Sequence, residues 1–230
     1  MGVKAMRLPS VILWGDSIGR GIDFDSARGR YAVMRENFEK VLRRRGVIDI
    51  DNRSRFGATV VDGLKDYEAS GLREGTILLE YGGNDCNMPW DQVSADPSRL
   101  YEAATPLRVF EETLAKFVRL IKERGGRPLL VTPPPLVAER FVPWVSQGLN
   151  EGAIRSYLGD EQHVYRWHER YANAVRRVAE NLRCGLVDLR DRLLAEADYP
   201  ALVGVDGMHI SEQGHAVIAD ALEELLPALL

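Results

Sequence analysis

The sequence predicts an α/β fold built on a parallel sheet, and three observations support that prediction. Short apolar runs of strand length alternate along the chain with longer segments of helical periodicity. The clearest helical segment has capping residues at its start and glycines at its end. The chain has 230 residues and is 45% hydrophobic, which suffices for one substantial core but not for two ordinary domains. We therefore expect a single domain over residues 1–230.

Five apolar runs are the predicted strands. They cover residues 11–14, 47–50, 76–81, 128–132 and 185–189. Because helical patterns separate most of them, we expect parallel strands joined by crossover helices.

Three helices are predicted most clearly. The first begins at Thr105-Pro106, an N-cap residue followed by proline at the first helical position, and ends at Gly125-Gly126. Its acidic residues lie early and its basic residues late, as the helix dipole favours. The second spans about 164–182, and the third follows Ser211.

Two stretches, 86–104 and 133–163, are too long to be plain connections. Each follows a predicted strand, and ligands of open parallel sheets bind beyond the carboxyl ends of the strands. We therefore expect two insertions, elaborated loops or lids, that overhang an active site.

The bulk composition excludes several classes of partner. The net charge is −4, so the chain lacks the basic excess that binding to nucleic acid requires. No apolar run approaches the length of a membrane span. The segment 1–6 has no apolar signal core, and Met6 stands where a myristoylation motif has Ser or Thr, so we expect a cytoplasmic protein. The two cysteines, Cys86 and Cys184, fit a reduced pair.

Ser17 follows the first predicted strand in the string Gly15-Asp16-Ser17-Ile18-Gly19. Its hydroxyl is expected at the ligand edge of the sheet, where a nucleophile is needed, although a serine after Gly-Asp also fits a helix cap or turn. The string matches the G-x-S-x-G elbow of α/β-hydrolases too. That interpretation fails on position, because only one strand can precede Ser17 and the elbow needs several.

Near the end of the chain, Asp206 and His209 are three positions apart in a loop that contains Gly207. A carboxylate so placed can hold one imidazole nitrogen while the other faces a serine, which is the arrangement of a Ser-His-Asp triad. The alternative interpretation is a surface turn that leads into a capped helix.

Two further blocks follow the second and third predicted strands. Gly57 can offer an unobstructed backbone N–H and Asn84 an amide N–H, the donors that an oxyanion hole requires. The alternatives are an ordinary loop glycine and a turn residue in Gly82-Gly83-Asn84-Asp85.

The four blocks in this order resemble the SGNH hydrolase (GDSL esterase/lipase) superfamily over about residues 11–225. The letters S, G, N and H in the superfamily name correspond here to Ser17, Gly57, Asn84 and His209. Asp206 and Gly214 belong to the same block as His209. Ile18 replaces the eponymous leucine. The resemblance implies a three-layer α/β/α sandwich around a five-stranded parallel sheet, the flavodoxin-like SGNH fold, without a metal or an organic cofactor.

The resemblance also implies a serine ester hydrolase that acts through an acyl-enzyme intermediate. Ser17, His209 and Asp206 are the expected triad, and Ser17, Gly57 and Asn84 the expected oxyanion hole. Because no hydrophobic lid helix is predicted, a small or medium acyl ester is favoured over bulk lipid, an acetylated carbohydrate being one example. The rivals are a thioesterase or lysophospholipase with the same triad, and a binding module that keeps the fold without turnover. The sequence does not predict an oligomeric state.

Aromatic residues of the insertions are the candidate substrate-binding residues, although aromatic side chains in such loops more often pack against one another in a core of the loops. These are Trp90, Phe141 and Trp144. Polar Gln147, Asn150 and Glu151 lie close by in sequence, which predicts a mixed surface suited to a compact ester. His163, His168 and His215 lack the spacing of metal ligands and are expected on the surface or in satisfied polar contacts, and Cys86 is expected in the pocket wall.

Overall fold

A five-stranded parallel sheet lies at the centre of the computed structural model, which describes residues 8–230. Its strands are β1 (Val11–Gly15), β4 (Ile50–Asn52), β5 (Thr76–Glu80), β6 (Arg127–Val131) and β7 (Gly185–Val187). The strand order is β4-β1-β5-β6-β7. This order reverses direction at β1, so the crevice between the carboxyl ends of β1 and β5 is the expected ligand position.

Helices cover both faces of the sheet. They are α1 (Ser17–Arg20), α2 (Phe38–Arg45), α3 (Val60–Ser70), α4 (Trp90–Ala95), α5 (Leu107–Glu123), α6 (Ala138–Val145), α7 (Glu151–Leu158), α8 (His163–Asn181), α9 (Leu189–Leu194) and α10 (Glu212–Leu229), with a 3₁₀ turn at Tyr199–Leu202. Residues of α2, α9 and α10 pack in one core cluster with alternate strand residues, and residues of α3, α5 and α8 pack in another. The alternation is clear in β5, where Leu78 belongs to the first cluster and Ile77 and Leu79 to the second. The predicted α/β/α sandwich is therefore confirmed.

The predicted boundaries differ from the structure by one to three residues, and three of the differences have a clear local cause. The run 47–50 is mostly not a strand: Val47 and Ile48 are buried, but pairing with β1 begins at Ile50. The last strand ends at Val187, because Asp188 caps α9. The first long helix begins at Leu107 with Pro106 at its N-cap.

A two-stranded antiparallel hairpin was not predicted. It consists of β2 (Ile22–Asp25) and β3 (Arg30–Val33), with Phe24 paired to Tyr31. The hairpin follows α1 directly and brings Tyr31 to the carboxyl end of the sheet, as described below.

The two insertions contain helices. The stretch 86–104 includes α4, and 133–163 includes α6 and α7. Their apolar side chains form a third cluster, which includes Trp90, Val93, Phe141 and Ile154. The expectation that no hydrophobic lid helix is present was therefore wrong, because short helices can bury apolar residues against a neighbouring insertion instead of the sheet. The segment 1–6, on which the cytoplasmic expectation rested, lies outside the described residues.

Candidate active site

Ser17 lies where the first strand ends and the chain turns into α1. The Asp16 side chain caps this helix by accepting a hydrogen bond from the Ile18 N–H at 2.8 Å. The turn is closely packed, since a Cβ atom on Gly19 would lie 2.6 Å from the Ser54 hydroxyl oxygen. Ser17 itself is only 6% exposed. The local structure thus holds the serine at the edge of the sheet with little freedom.

His209 and Asp206 reach Ser17 from the loop that precedes α10. The His209 Nε2 atom lies 2.9 Å from the Ser17 Oγ atom, and Nδ1 lies 2.5 Å from Asp206 Oδ2. With its proton on Nδ1, the imidazole donates to the carboxylate, and Nε2 remains free to accept the serine hydroxyl proton. The structure therefore brings the three side chains into one hydrogen-bonded line.

Asp206 is completely buried, and four hydrogen bonds stabilise its charge. Its Oδ1 atom accepts from the backbone N–H groups of Met208 at 3.0 Å and His209 at 2.9 Å. Its Oδ2 atom accepts from His209 Nδ1 and from the Tyr31 hydroxyl, the latter at 3.0 Å. Burial raises the pKa of Asp206, but the contacts with His209 and the backbone outweigh it, so the pKa lies below its ordinary value. Such a carboxylate can orient the imidazole and stabilise an imidazolium.

Asn84 and Gly57 lie at the same edge of the sheet. The Asn84 Nδ2 atom donates to Asp16 Oδ2 at 3.1 Å and to the Ala58 carbonyl oxygen at 3.2 Å, which ties the loop after β5 to the loops after β1 and β4. Gly57 directly precedes Ala58 and has a φ of 74°, a conformation that favours glycine. It is exposed, next to Phe56 at the cavity described below.

Two buried carboxyl groups lie beside Ser17. Glu80 Oε2 accepts hydrogen bonds from the backbone N–H groups of Gly19 at 3.1 Å and of Asp16 at 3.4 Å. Burial, reinforced by the charge of Glu80, raises the pKa of Asp16 well above its ordinary value, and burial also raises the pKa of Glu80. Both shifts follow from burying two carboxyl groups against each other, which disfavours two negative charges at this place.

Asp85 supports the adjacent loop. Its two carboxylate oxygens accept from the Val60 N–H at 3.0 Å and 3.2 Å, at the start of α3. The Thr105 side chain, predicted as a helix cap, bonds to Asp85 instead. Burial is the main cause that raises the pKa of Asp85 to about 7.

A cavity of about 450 Å³ opens over Ser17 and His209. This volume lies within the range of roughly 300–1,000 Å³ that is typical of small-molecule sites. Away from Ser17 its wall is mostly apolar and comes from the two insertions and the start of α8, with Met88, Leu100, Leu136, Phe141, Val145 and Leu158 among its residues. Residues of both insertions therefore contribute to the wall of the cavity that contains Ser17.

A model of the GDSL-like lipase/acylhydrolase family matches residues 13–217 of the chain. The match spans most of the sequence and includes all four blocks described above. The chain belongs to the GDSL-like lipase/acylhydrolase family. The resemblance predicted from the sequence is confirmed, and with it the class of enzyme, a hydrolase.

Solved structures with the same fold include other members of this class. A lipase/acylhydrolase from Enterococcus faecalis is 18% identical, with a TM-score of 0.63 and coverage of 97% of this chain and 96% of that one. An alpha/beta hydrolase enzyme from the metagenome of Lake Arreo is 22% identical, with a TM-score of 0.64 and full coverage of both chains. A catalytic mutant of an acetylxylan esterase from Geobacillus stearothermophilus is 22% identical, with a TM-score of 0.61 and 96% coverage of each chain. No curated protein sequence matches this hydrolase.

The three aromatic residues predicted to bind substrate do not share one environment in this hydrolase. Trp90 and Phe141 line the cavity, but Trp144 lies outside it, and its indole N–H donates to the Tyr31 hydroxyl at 2.9 Å. The reason is helical spacing, since Phe141 and Val145 are four residues apart on one face of α6, whereas Trp144 lies on the adjacent face.

The mixed polar surface expected at the pocket is not present in the described insertion. Gln147, Asn150 and Glu151 are exposed, and the Asn150 side chain caps α7. The sequence argument for a compact ester depended on these polar residues, so the structure does not support that argument.

Tyr31 and Phe56 are site residues that the sequence analysis missed. The Tyr31 ring lies 4.8 Å from the His209 ring, and Phe56 stacks parallel to the imidazole at 6.3 Å, between ring centroids. A signal for the hairpin was present, because apolar Ile22 and Phe24 alternate with aspartates before a turn that contains Gly29.

The other histidines and the cysteine near the site have distinct environments. His168 is buried, with Nδ1 accepting from Arg190 at 2.9 Å, and His163 contacts the Leu158 carbonyl oxygen. For His215 the expectation was wrong: it is buried, and neither ring nitrogen has a hydrogen-bond partner among the described residues. Cys86 lines the cavity, and burial raises the pKa of its thiol, so it is not activated as a nucleophile.

Among residues 8–230, no group of three or more His, Cys, Asp or Glu side chains is arranged to hold a metal ion. No helix in the same range is both long and apolar enough to span a bilayer.

Proposed function

We propose that this hydrolase is a serine esterase that cleaves a small or medium acyl ester through an acyl-enzyme intermediate, with Ser17, His209 and Asp206 as its triad. The observation that carries the proposal is the hydrogen-bonded line from Ser17 Oγ through both nitrogens of His209 to the buried Asp206. A nucleophile needs an adjacent base that is itself oriented by a third group, and this line supplies both.

In the first half-reaction, His209 Nε2 takes the Ser17 hydroxyl proton as Oγ attacks the ester carbonyl carbon. Asp206 stabilises the imidazolium that forms. The imidazolium then gives its proton to the leaving oxygen as the carbon–oxygen bond breaks. Water completes the second half-reaction with His209 again as base, which releases the carboxylic acid and restores Ser17.

The oxyanion of the tetrahedral intermediate would be held by the N–H groups of Ser17 and Gly57 and by the Asn84 amide. In the free enzyme the Asn84 amide donates to Asp16 and to the Ala58 carbonyl. These contacts hold the amide in one orientation before a substrate binds, as a preorganised oxyanion donor requires.

The apolar cavity favours the medium end of the proposed range of acyl groups. An acetylated carbohydrate, the substrate class in the name of the Geobacillus enzyme, represents the small end. An aliphatic acyl chain would bury its methylenes against residues such as Leu136 and Leu158. The same cavity would serve a thioesterase or lysophospholipase, which differs only in the leaving group.

A fluorophosphonate probe tests the nucleophile. Ser17 Oγ would displace fluoride and form a bond to phosphorus, so the protein should be labelled, and Ser17→Ala should remove the label. Ser70→Ala, at an exposed serine at the end of α3, is the matched control and should keep it. Ester turnover should fall on the order of 10⁴-fold or more in Ser17→Ala and in His209→Ala. A binding module would give no label and no turnover in the wild type, and a Ser17→Ala variant that keeps most of its turnover would exclude this triad.

A further inference from the structure

The Tyr31 hydroxyl occupies a defined place in the network around Asp206. It accepts a hydrogen bond from Trp144 Nε1 at 2.9 Å, and its own proton points to Asp206 Oδ2 at 3.0 Å. Burial, and next the charge of Asp206, raises the pKa of Tyr31, so the hydroxyl remains a donor. The direction of each bond is thereby set, from Trp144 to Tyr31 to Asp206.

Tyr31 also restricts His209 directly. Its ring packs against the imidazole, and the hairpin holds it through the pairing of Tyr31 with Phe24, whose ring lies 4.7 Å from Trp144. One residue therefore touches both the acid and the base of the proposed triad.

We propose that Tyr31 is a positioning residue for Asp206 and His209 and that Trp144 holds it in place, an inference that rests on the proposed triad. Helix α6 then has two tasks. Phe141 and Val145 form part of the cavity wall, while Trp144, on the adjacent face, fixes the donor to the catalytic acid. Helix α6 therefore contacts the cavity on one face and, through Trp144 and Tyr31, the His209 side chain on another.

Tyr31→Phe tests the proposal, because it removes the donor and keeps the ring. Asp206 would lose one of its four hydrogen bonds, and its less stabilised charge would hold the proton of the imidazolium more tightly. We expect kcat to fall about two- to tenfold, the equivalent of one hydrogen bond. The acid limb of the kcat/KM profile should move to higher pH by about half a unit, because His209 would have to lose a more tightly held proton to act as base.

Other ionisable groups also face this network and remain unchanged in the variant. They are Asp16 beside Ser17, Asp23 of the hairpin, His215 of α10 and Arg140 of α6, whose guanidinium donates to backbone carbonyls of the loop 200–204. A shift of the acid limb in Tyr31→Phe therefore reports the lost hydroxyl.

Trp144→Phe completes a double-mutant cycle. Alone it should shift the acid limb in the same direction but less, and in the Tyr31→Phe background it should add nothing to that shift. Tyr67→Phe is the matched control, because the Tyr67 hydroxyl is buried in another cluster with no hydrogen-bond partner among the described residues. That variant should keep the wild-type kcat and pH profile.

The outcomes separate this inference from the proposed function. If Ser17→Ala abolishes turnover while Tyr31→Phe keeps the wild-type kcat and acid limb, the positioning role is wrong and the triad stands. A lower melting temperature with an unchanged pH profile would likewise make Tyr31 a packing residue and overturn the proposal. If Ser17→Ala retains turnover, the proposed function itself fails.

Discussion

Asn84 is the residue whose proposed role depends most on its neighbours. Both hydrogen atoms of its amide have acceptors in the free enzyme, Asp16 Oδ2 and the Ala58 carbonyl oxygen. These contacts hold the amide in one orientation, and preorganised donors of this kind stabilise charge that develops in a transition state. The sequence suggested Asn84 as a donor but contained no sign that Asp16 would orient it.

Asn84→Ala should lower kcat by about 10²- to 10³-fold and leave KM nearly unchanged, because the donor acts on the oxyanion rather than on the bound ester. Steady-state kinetics on an aryl ester give both constants. Asn87→Ala, at a residue that lines the cavity and accepts a hydrogen bond from the Trp90 indole, controls for the general effect of losing an amide there. A large rise in KM with kcat preserved would make Asn84 a substrate-binding residue instead.

At the scale of elements, α10 and α2 meet around a buried histidine. His215 of α10 stacks on Phe38 of α2, with ring centroids 5.6 Å apart, and is fully buried. Burial, and next the charge of His209, lowers the pKa of His215 from 6.5 to about 3. The folded protein therefore keeps this side chain neutral at pH values where the unfolded chain would protonate it.

This difference predicts a loss of stability in acid. As pH falls below about 6.5, the unfolded state binds a proton that the folded state excludes, so the free energy of unfolding decreases until pH approaches about 3. His215→Leu removes the titrating group and keeps an apolar side chain of similar size. Between pH 7 and pH 5 the wild type should lose about 2 kcal/mol more stability than the variant. Urea unfolding of both proteins at the two pH values measures this, and parallel losses would show that His215 is protonated in the fold.

The α4 and α6 helices of the insertions form because they pack against neighbouring segments. Each is short and would be marginal alone, but Trp90, Phe141 and Ile154 bury one another between the insertions. The periodicity of single segments did not predict these helices, because their apolar faces are completed by a different insertion.

At the scale of the whole molecule, the cavity determines the expected substrate preference. Its apolar wall is built by both insertions and α8, so an acyl chain would gain about 0.8 kcal/mol for each methylene it buries. That corresponds to about a fourfold rise in kcat/KM per methylene. We expect p-nitrophenyl esters to improve from acetyl through hexanoyl and to stop improving once the chain exceeds the cavity.

Val145→Trp should shorten the cavity and lower the ratio of octanoyl to acetyl kcat/KM by about tenfold or more. Val109→Trp is the matched control, because Val109 is 43% exposed on α5, outside the cavity wall. The ratio should remain at the wild-type value in that variant. The acyl chain would not bind in this cavity if the octanoyl-to-acetyl ratio were equal in the wild type and both variants. A wild type that prefers acetyl esters would lead to the same conclusion.

Local sequence was sufficient to predict the site residues that directly follow a strand or lie together in one loop. Ser17 and Asn84 each follow a buried strand, and in a parallel sheet with this topology the carboxyl ends of those strands must lie side by side. The spacing of Asp206 and His209 placed a carboxylate within reach of an imidazole in the same loop. The fold class, the family and the proposed triad were therefore accessible from the chain alone.

Only the tertiary structure decided what surrounds those residues. Tyr31 and Trp144 are 113 positions apart, and Asp16 and Glu80 are 64 apart, so no local pattern records that they touch. Trp144 was predicted to bind substrate because aromatic side chains are common in pocket walls. It lies instead on the face of α6 next to the one that lines the cavity, and there it contacts Tyr31. The physical reason is common to all these cases: hydrogen bonds and burial between distant segments depend on how helices pack, whereas periodicity and capping report only what each segment does by itself.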